Sequence, residues 1–146
     1  MNPADEKWQR RFMRLAVEVS AWSKDTSTKV GCVLVSPDGL VLSTGYNGIA
    51  RGVDDKPVRL ERPQKYLWTV HAEAAAIANA ARHGARLTGA TAYVTHCPCA
   101  SCARLLLNAG VAEVVTGSGL TNMPAEEFDA ARTMFQEAGV HVHSVD

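Results

Sequence analysis

The residues best suited to chemistry form two short motifs, His71-Ala72-Glu73 and Pro98-Cys99-Ala100-Ser101-Cys102. One imidazole and two thiolates are ligands that zinc prefers. Three protein ligands are typical of a catalytic zinc, which keeps its fourth position for water. Glu73 follows the histidine by two positions, where a proton-handling carboxylate is needed. We therefore predict a zinc site held by His71, Cys99 and Cys102, with Glu73 as the catalytic residue.

Each motif must lie at the N-terminus of a helix for its side chains to converge. Cys99 and Cys102 are three residues apart, so at the first turn of a helix both sulfurs lie on one side. The partial positive charge of a helix N-terminus also favours their thiolate forms. His71 and Glu73 are two residues apart and would not share a face inside a regular helix. They can converge on one point only if His71 lies at the very first turn.

The same chemistry suits hydrolytic deamination. Two thiolates cancel the formal charge of Zn²⁺ and leave a weaker Lewis acid than three histidines would, so a base is needed beside the attacking water. A single carboxylate can take a proton from that water and return it to a ring nitrogen and to the departing ammonia.

Non-catalytic interpretations exist for several of these residues. Cys97 could complete a four-ligand structural zinc site. Glu73 could be a solvated carboxylate stabilised by the helix dipole. His96 either lines the mouth of the site or lies on a plain surface, and Cys32, within an apolar run, is interpreted as a core residue.

Hydrophobic periodicity predicts the elements that position the motifs. Helices are predicted over 5–23, 72–83, 99–108 and 125–138, strands over 30–35, 40–44, 91–95, 111–116 and 140–145, and a long charged loop over 49–68. The alternation in the second half implies right-handed crossovers and parallel pairing. We expect one α/β domain over 1–146, with a mixed five-stranded sheet and helices on both faces.

Charge and cysteine usage restrict the class of protein. Lys plus Arg and Asp plus Glu both total 15, so the net charge is zero, which disfavours a nucleic-acid polymer as partner and favours a small substrate. No apolar run reaches membrane-spanning length. Three cysteines within residues 97–102 favour metal binding in a reducing compartment over disulfides, which predicts a cytoplasmic protein.

With these motifs placed, the chain resembles the deoxycytidylate (dCMP) deaminase family of the cytidine deaminase-like superfamily. The H-x-E…P-C-x-x-C pattern is shared by zinc nucleobase deaminases in general. Gly45-Tyr46-Asn47-Gly48 and Ser23-Lys24-Asp25 narrow the resemblance to nucleotide deaminases, and it covers roughly residues 12–116. It implies a three-layer αβα sandwich, a Zn²⁺ cofactor, conversion of dCMP to dUMP and ammonia, and a homo-oligomer, often a hexamer.

The resemblance also implies substrate contacts. Asn47 would bond a sugar hydroxyl, the backbone N–H of Ala72 would hold the pyrimidine carbonyl, and the backbone carbonyl of Cys97 would accept from the exocyclic amine. Without the resemblance, Asn47 would be explained by a tight Asn-Gly turn alone.

Other substrate contacts are less determined. Trp22 is expected to bury on the first helix, with stacking near the base or sugar as the alternative, and Tyr66 either flanks the ring or pins its loop. Phosphate binding and a solvated mixed-charge loop are equal alternatives for four basic residues, Arg51, Arg59, Arg62 and Lys65. Lys24 and Lys29 are also candidates for substrate binding.

The chain departs from the family pattern near the expected sugar and phosphate contacts. Trp22 stands where many members have arginine, Thr26 where proline is usual, and Ile49-Ala50 where a bulky residue and proline are usual. A modified cytosine nucleotide, a nucleoside or guanine are therefore alternative substrates. Nucleic-acid editing and a non-catalytic zinc module are less favoured. Residues 49–70 contain no Cys or His, so no second zinc is predicted there.

Overall fold

A computed structural model describes residues 5–146, and residues 1–4 of the predicted domain lie outside this range. The helices are α1 (Glu6–Ser20), α2 (Lys65–Trp68), α3 (Ala72–His83), α4 (Ala100–Asn108) and α5 (Ala125–Glu137), with a 3₁₀ helix at Pro57–Leu60. The strands are β1 (Gly31–Val35), β2 (Val41–Tyr46), β3 (Gly48–Ile49), β4 (Thr69–Val70), β5 (Thr91–His96), β6 (Glu113–Gly119) and β7 (His141–Ser144).

Five of the strands form a mixed sheet in the order β2-β1-β5-β6-β7. β1 is antiparallel to both of its neighbours, whereas β5, β6 and β7 run parallel. The parallel strands are joined through α4 and α5, as the alternation of strands and helices predicted. The predicted mixed five-stranded sheet is therefore confirmed.

Alternating side chains of the strands divide the core into two layers. Val33 and Val35 of β1 pack with α1 on one face. Cys32 and Leu34 pack on the opposite face with residues of α3, α4 and α5, and Cys32 is fully buried as predicted. Because successive strand residues point to opposite faces, one five-residue strand supplies both layers of the αβα sandwich.

Two glycines let helices approach the sheet at backbone distance. A Cβ atom on Gly31 would lie 2.0 Å from the carbonyl oxygen of Ala16 in α1. A Cβ atom on Gly45 would lie 2.4 Å from the carbonyl oxygen of Ala72 and 2.3 Å from the amide nitrogen of Ala76. The first turn of α3, which follows His71, is thus held directly on β2.

The prediction that Trp22 buries on the first helix is wrong. The helix ends at Ser20, and the amide of Ala21 closes its last turn on the carbonyls of Val17 and Glu18. Because the helical period stops there, Trp22 no longer faces the sheet. It is 53% exposed and meets the ring of Tyr46 edge-on, with 6.0 Å between the ring centroids.

The tight turn at Asn47-Gly48, which was the alternative explanation of Asn47, is not formed. β2 runs to Tyr46 and β3 begins at Gly48. A tight hairpin turn of the Asn-Gly type needs positive φ at its central residues, and within residues 5–146 only glycines have positive φ, Gly48 not among them. The segment predicted as a loop over 49–68 contains short helices, and its two ends are joined where β3 pairs with β4.

None of the helices found between residues 5 and 146 combines the length and the apolar character that crossing a membrane would require.

We expect Gly45→Ala to lower the free energy of unfolding by about 3 kcal/mol, because the added methyl group would collide with the backbone of α3 and not with a flexible side chain. Urea denaturation followed by circular dichroism measures this change. Gly48→Ala is the matched control, since its Cβ atom would meet only the Tyr46 ring at 3.9 Å. Equal stability of the two variants would contradict the close approach of α3.

Candidate active site

Three ligand atoms converge where two helices begin. The Nδ1 atom of His71 lies 3.5 Å from Sγ of Cys99 and 3.4 Å from Sγ of Cys102. His71 and Cys99 are the N-cap residues of α3 and α4, and both have extended backbone conformations. The predicted position of His71 at the very start of its helix is what the structure shows.

These distances fit a zinc ion. Tetrahedral bonds of about 2.3 Å to sulfur and about 2.0 Å to nitrogen place the two donor atoms about 3.5 Å apart. The ligand atoms of the three residues all lie within 4.8 Å of one another, and Cys99 and Cys102 are buried. Cys97 is not part of this group. Among the residues that the structure describes, no other set of three His, Cys, Asp or Glu residues brings its ligand atoms close enough together to hold a metal ion. The donor set therefore has three members and suits a catalytic zinc.

Glu73 lies beside the ligands, in the first turn of α3, and is only 4% exposed. Burial raises the pKa of its carboxyl group to about 7, and the charges of Cys99 and His71 act on it in opposite directions. A carboxylate this deeply buried is not the solvated helix-start residue of the alternative interpretation.

The pKa values of the two thiols move in opposite directions when no cation neutralises them, so that Cys102 keeps its proton. The pKa of Cys99 falls to about 4, because Cys102 and then His71 donate hydrogen bonds to its thiolate. The pKa of Cys102 is raised by its hydrogen bond to Cys99 and by burial. The pKa of His71 is raised by its hydrogen bond to Cys99. A bound cation would replace this proton and allow both sulfurs to be ionised.

The ligands open onto a cleft built from segments far apart in the chain. Asn47, Tyr66, Ala72 and Cys97, four of the predicted substrate-binding residues, lie in its wall. The other lining residues are Asp25, Thr28, Val30, Arg62, Lys65, Thr69, His71, Glu73, His96, Cys99, Thr121, Asn122 and Met123. The structure thus brings four of the six predicted substrate-binding residues together, and it places His96 at the cleft.

Trp22 and Lys24 do not belong to the cleft wall. Trp22 packs against Tyr46, and Lys24 forms an exposed ion pair with Asp55. Arg51 and Arg59 do not line the cleft either. Arg51 donates a hydrogen bond to the side chain of Asn79. The assignment of Trp22 and Lys24 to substrate stays a prediction.

Asn47 supports the cleft wall with its side chain. Its Oδ1 atom accepts a hydrogen bond from the amide of Val30 at 2.8 Å, and its Nδ2 atom donates to the carbonyl of Thr28 at 2.9 Å. The residue therefore holds the segment before β1 in place, a role that the turn interpretation did not include.

A buried ion pair fixes α2 against the same segment. The Lys65 ammonium group lies 3.0 Å from a carboxylate oxygen of Asp25, and the two side chains are 11% and 4% exposed. Burial alone would raise the pKa of Asp25, but hydrogen bonds from the amides of Ser27 and Thr28 and from Lys65 hold it at about 2. The Lys65 side chain is therefore already paired with a carboxylate, whereas Arg62 has no acidic partner within residues 5–146.

Sequence reasoning did not assign the loop between β6 and α5 to the site, although this loop contributes Thr121, Asn122 and Met123 to the cleft. It also missed Asp25 as the partner of Lys65. The loop has no motif and no periodicity, so no signal in the sequence could have identified it. The Ser23-Lys24-Asp25 segment was a signal for Asp25, although it did not indicate Lys65.

Zinc content tests the three-ligand site. We expect Cys99→Ala and Cys102→Ala to lose the stoichiometric zinc found in the wild type, because each removes one of only three protein ligands. Inductively coupled plasma mass spectrometry of the purified proteins measures this. Cys97→Ala is the matched control and should keep one zinc per chain. Loss of zinc in that variant would show a closed, four-ligand structural site.

Comparisons with known proteins agree with this geometry. A family model described as "Cytidine and deoxycytidylate deaminase zinc-binding region" matches residues 6–118. An uncharacterized deaminase in the luxG 3′ region of Aliivibrio fischeri is 39% identical over 139 residues, which cover 93% of this chain and 92% of that protein. The deoxycytidylate deaminase of Homo sapiens is 33% identical over 140 residues, or 92% of this chain and 77% of that protein.

The fold is also similar to a solved structure. The crystal structure of the dCMP deaminase from the cyanophage S-TIM5 in apo form has a TM-score of 0.78 and 25% sequence identity, covering 97% of this chain and 99% of that chain. The relatives, the zinc-binding family region and the His-Cys-Cys group of this structure all indicate the same kind of protein. The chain belongs to the cytidine and deoxycytidylate deaminase family and is a zinc-dependent deaminase.

Proposed function

We propose that the protein converts dCMP to dUMP and ammonia by hydrolysis. The cleft supplies the observation that carries this proposal: Arg62 lies in its wall without an acidic partner among residues 5–146, while Lys65 is neutralised by Asp25. Arg62 is therefore the group suited to the phosphate of a nucleotide monophosphate, since a guanidinium group binds phosphate oxygens in pairs. The similarity to the human deoxycytidylate deaminase supports a cytosine deoxynucleotide.

The residues around the ligands suit the reaction at the ring. Zinc bound by His71, Cys99 and Cys102 would supply a Lewis acid that makes water nucleophilic at neutral pH. Glu73 takes one proton from the attacking water and delivers it to the ring nitrogen, and it then transfers the second proton of that oxygen to the leaving amine as the C–N bond breaks. Its burial excludes bulk water from these transfers. The carboxylate is held in place because it belongs to the first turn of α3, which is seated on Gly45.

Backbone and side-chain groups orient the nucleotide. The amide of Ala72 is one of the first in α3, which have no partner inside the helix, so it is available to the pyrimidine carbonyl. The carbonyl of Cys97 would accept from the exocyclic amine. Asn47 uses only one of its two Nδ2 hydrogens on Thr28, so the second can bond to the sugar.

Assembly into a homo-oligomer, often a hexamer in this family, and a cytoplasmic location stay predictions. So does the extent of the deaminase domain over all of residues 1–146.

We expect Glu73→Gln to lower kcat for dCMP by about 10²- to 10⁴-fold, because the amide cannot accept the proton of the attacking water. Ammonia release coupled to a colorimetric assay measures turnover, and elemental analysis measures zinc, which should stay bound. Glu126→Gln, an exposed acidic residue in the first turn of α5, is the control and should retain wild-type activity. Wild-type turnover by Glu73→Gln would dismiss the role of this carboxylate.

A substrate panel tests the nucleotide assignment. We expect kcat/KM for dCMP to exceed that for deoxycytidine, cytosine and guanine, and Arg62→Ala to reduce the preference for dCMP over deoxycytidine by about tenfold, the loss of one charge-assisted contact. Ultraviolet absorbance loss reports each reaction. Arg51→Ala, which removes an arginine outside the cleft wall, is the control. Equal turnover of dCMP and deoxycytidine by the wild type would refute phosphate recognition.

A further inference from the structure

One polar group in the cleft wall has no role in the proposal above. The Oγ1 atom of Thr121 is buried and has no hydrogen-bond partner among residues 5–146. Thr121 lies in the loop 120–124, between β6 and α5, and lines the cleft that His71, Glu73 and Cys99 also line. A buried hydroxyl group without a partner is unfavourable, and few are found in folded proteins.

The loop 120–124 is held firmly at its start. Gly119, the residue before it, pairs with His96 at the end of the β5–β6 ladder. A Cβ atom on Gly119 would lie 2.5 Å from Cδ2 and Nε2 of the His96 ring, so the chain leaves β6 in direct contact with that imidazole. His96 belongs to the same cleft wall as Thr121.

The other end of the loop 120–124 is tied to the metal-binding helix. Glu127, in the first turn of α5, accepts a hydrogen bond from the amide of Ala100 at 3.2 Å. Ala100 is the first residue of α4 and follows Cys99 directly. Contacts at both ends of the loop 120–124 therefore fix the position of Thr121 relative to the zinc ligands.

We propose that the hydroxyl group of Thr121 is a substrate contact, and that it bonds to a polar atom of the nucleotide in the cleft. This inference rests on the proposed function. The three staggered positions about χ1 allow the hydroxyl to turn from its buried position toward a bound molecule. A hydroxyl both donates and accepts, so it can pair with the amine, carbonyl or ring nitrogen of a cytosine nucleotide.

A structural role and a substrate contact predict different outcomes for Thr121→Val. Valine keeps the shape of threonine but removes the hydroxyl. If the hydroxyl has no partner in the ligand-free protein, its removal costs the fold nothing and relieves an unsatisfied group. If it contacts substrate, its removal leaves a polar atom of the nucleotide unpaired and weakens binding.

The experiment compares the zinc-loaded wild type with Thr121→Val and with Thr121→Ser, which keeps the hydroxyl. We expect the melting temperature of Thr121→Val without ligand to equal or exceed that of the wild type. We expect its Kd for dUMP, measured by calorimetry, and its KM for dCMP to rise about fivefold to twentyfold, a typical loss for one unpaired polar group. Thr121→Ser should bind within about twofold of the wild type.

Nucleotide binding by Thr121→Val as tight as that of the wild type would overturn the proposal. Weaker binding accompanied by a lower melting temperature would also overturn it, because the hydroxyl would then be supporting the fold. If the wild type does not turn over dCMP, the proposed function fails by itself. The two variants are then compared with the substrate of the panel that the wild type does accept, which tests Thr121 separately.

Discussion

The site depends on one constraint, which is that the N-termini of α3 and α4 lie close together. α3 and α4 each begin with a metal-ligand residue in extended conformation, and the imidazole of His71 faces both sulfurs from the opposite start. Each helix is placed by the sheet: α3 lies on Gly45 of β2, and α4 follows β5 after three residues. The strand order therefore sets the distance between the ligands, and the carboxylate of Glu73 follows because it shares the first turn of α3.

The metal ligands and the fold class could be predicted because their signals are local. His71, Glu73, Cys99 and Cys102 lie within two short motifs whose chemistry dictates both residue type and spacing. The sheet followed from periodicity in single strands and helices, and errors concerned mainly their ends. Trp22 shows why: the helical pattern continues in the sequence for one more turn than the backbone does.

The contacts that assemble the rest of the cleft could not be predicted, because they join segments that are distant in the chain. Asp25 and Lys65 are forty positions apart and form a buried ion pair with no periodic signal. Asn47 bonds to residues seventeen and nineteen positions before it. Thr121 comes from a loop without a motif. Such contacts depend on the register of the whole sheet, which cannot be deduced from the residue types of a short segment.

The corner of the sheet around Gly31 and Gly45 has a consequence for evolutionary change. Gly45 is paired with the residue after Gly31, so α1 and α3 press on opposite faces of almost the same point, separated by bare backbone. Any side chain introduced there in the course of divergence would push one of the two helices outward, and a shift of α3 would carry the reactive carboxylate with it. Descendants that retain activity therefore have little freedom at this corner of the sheet.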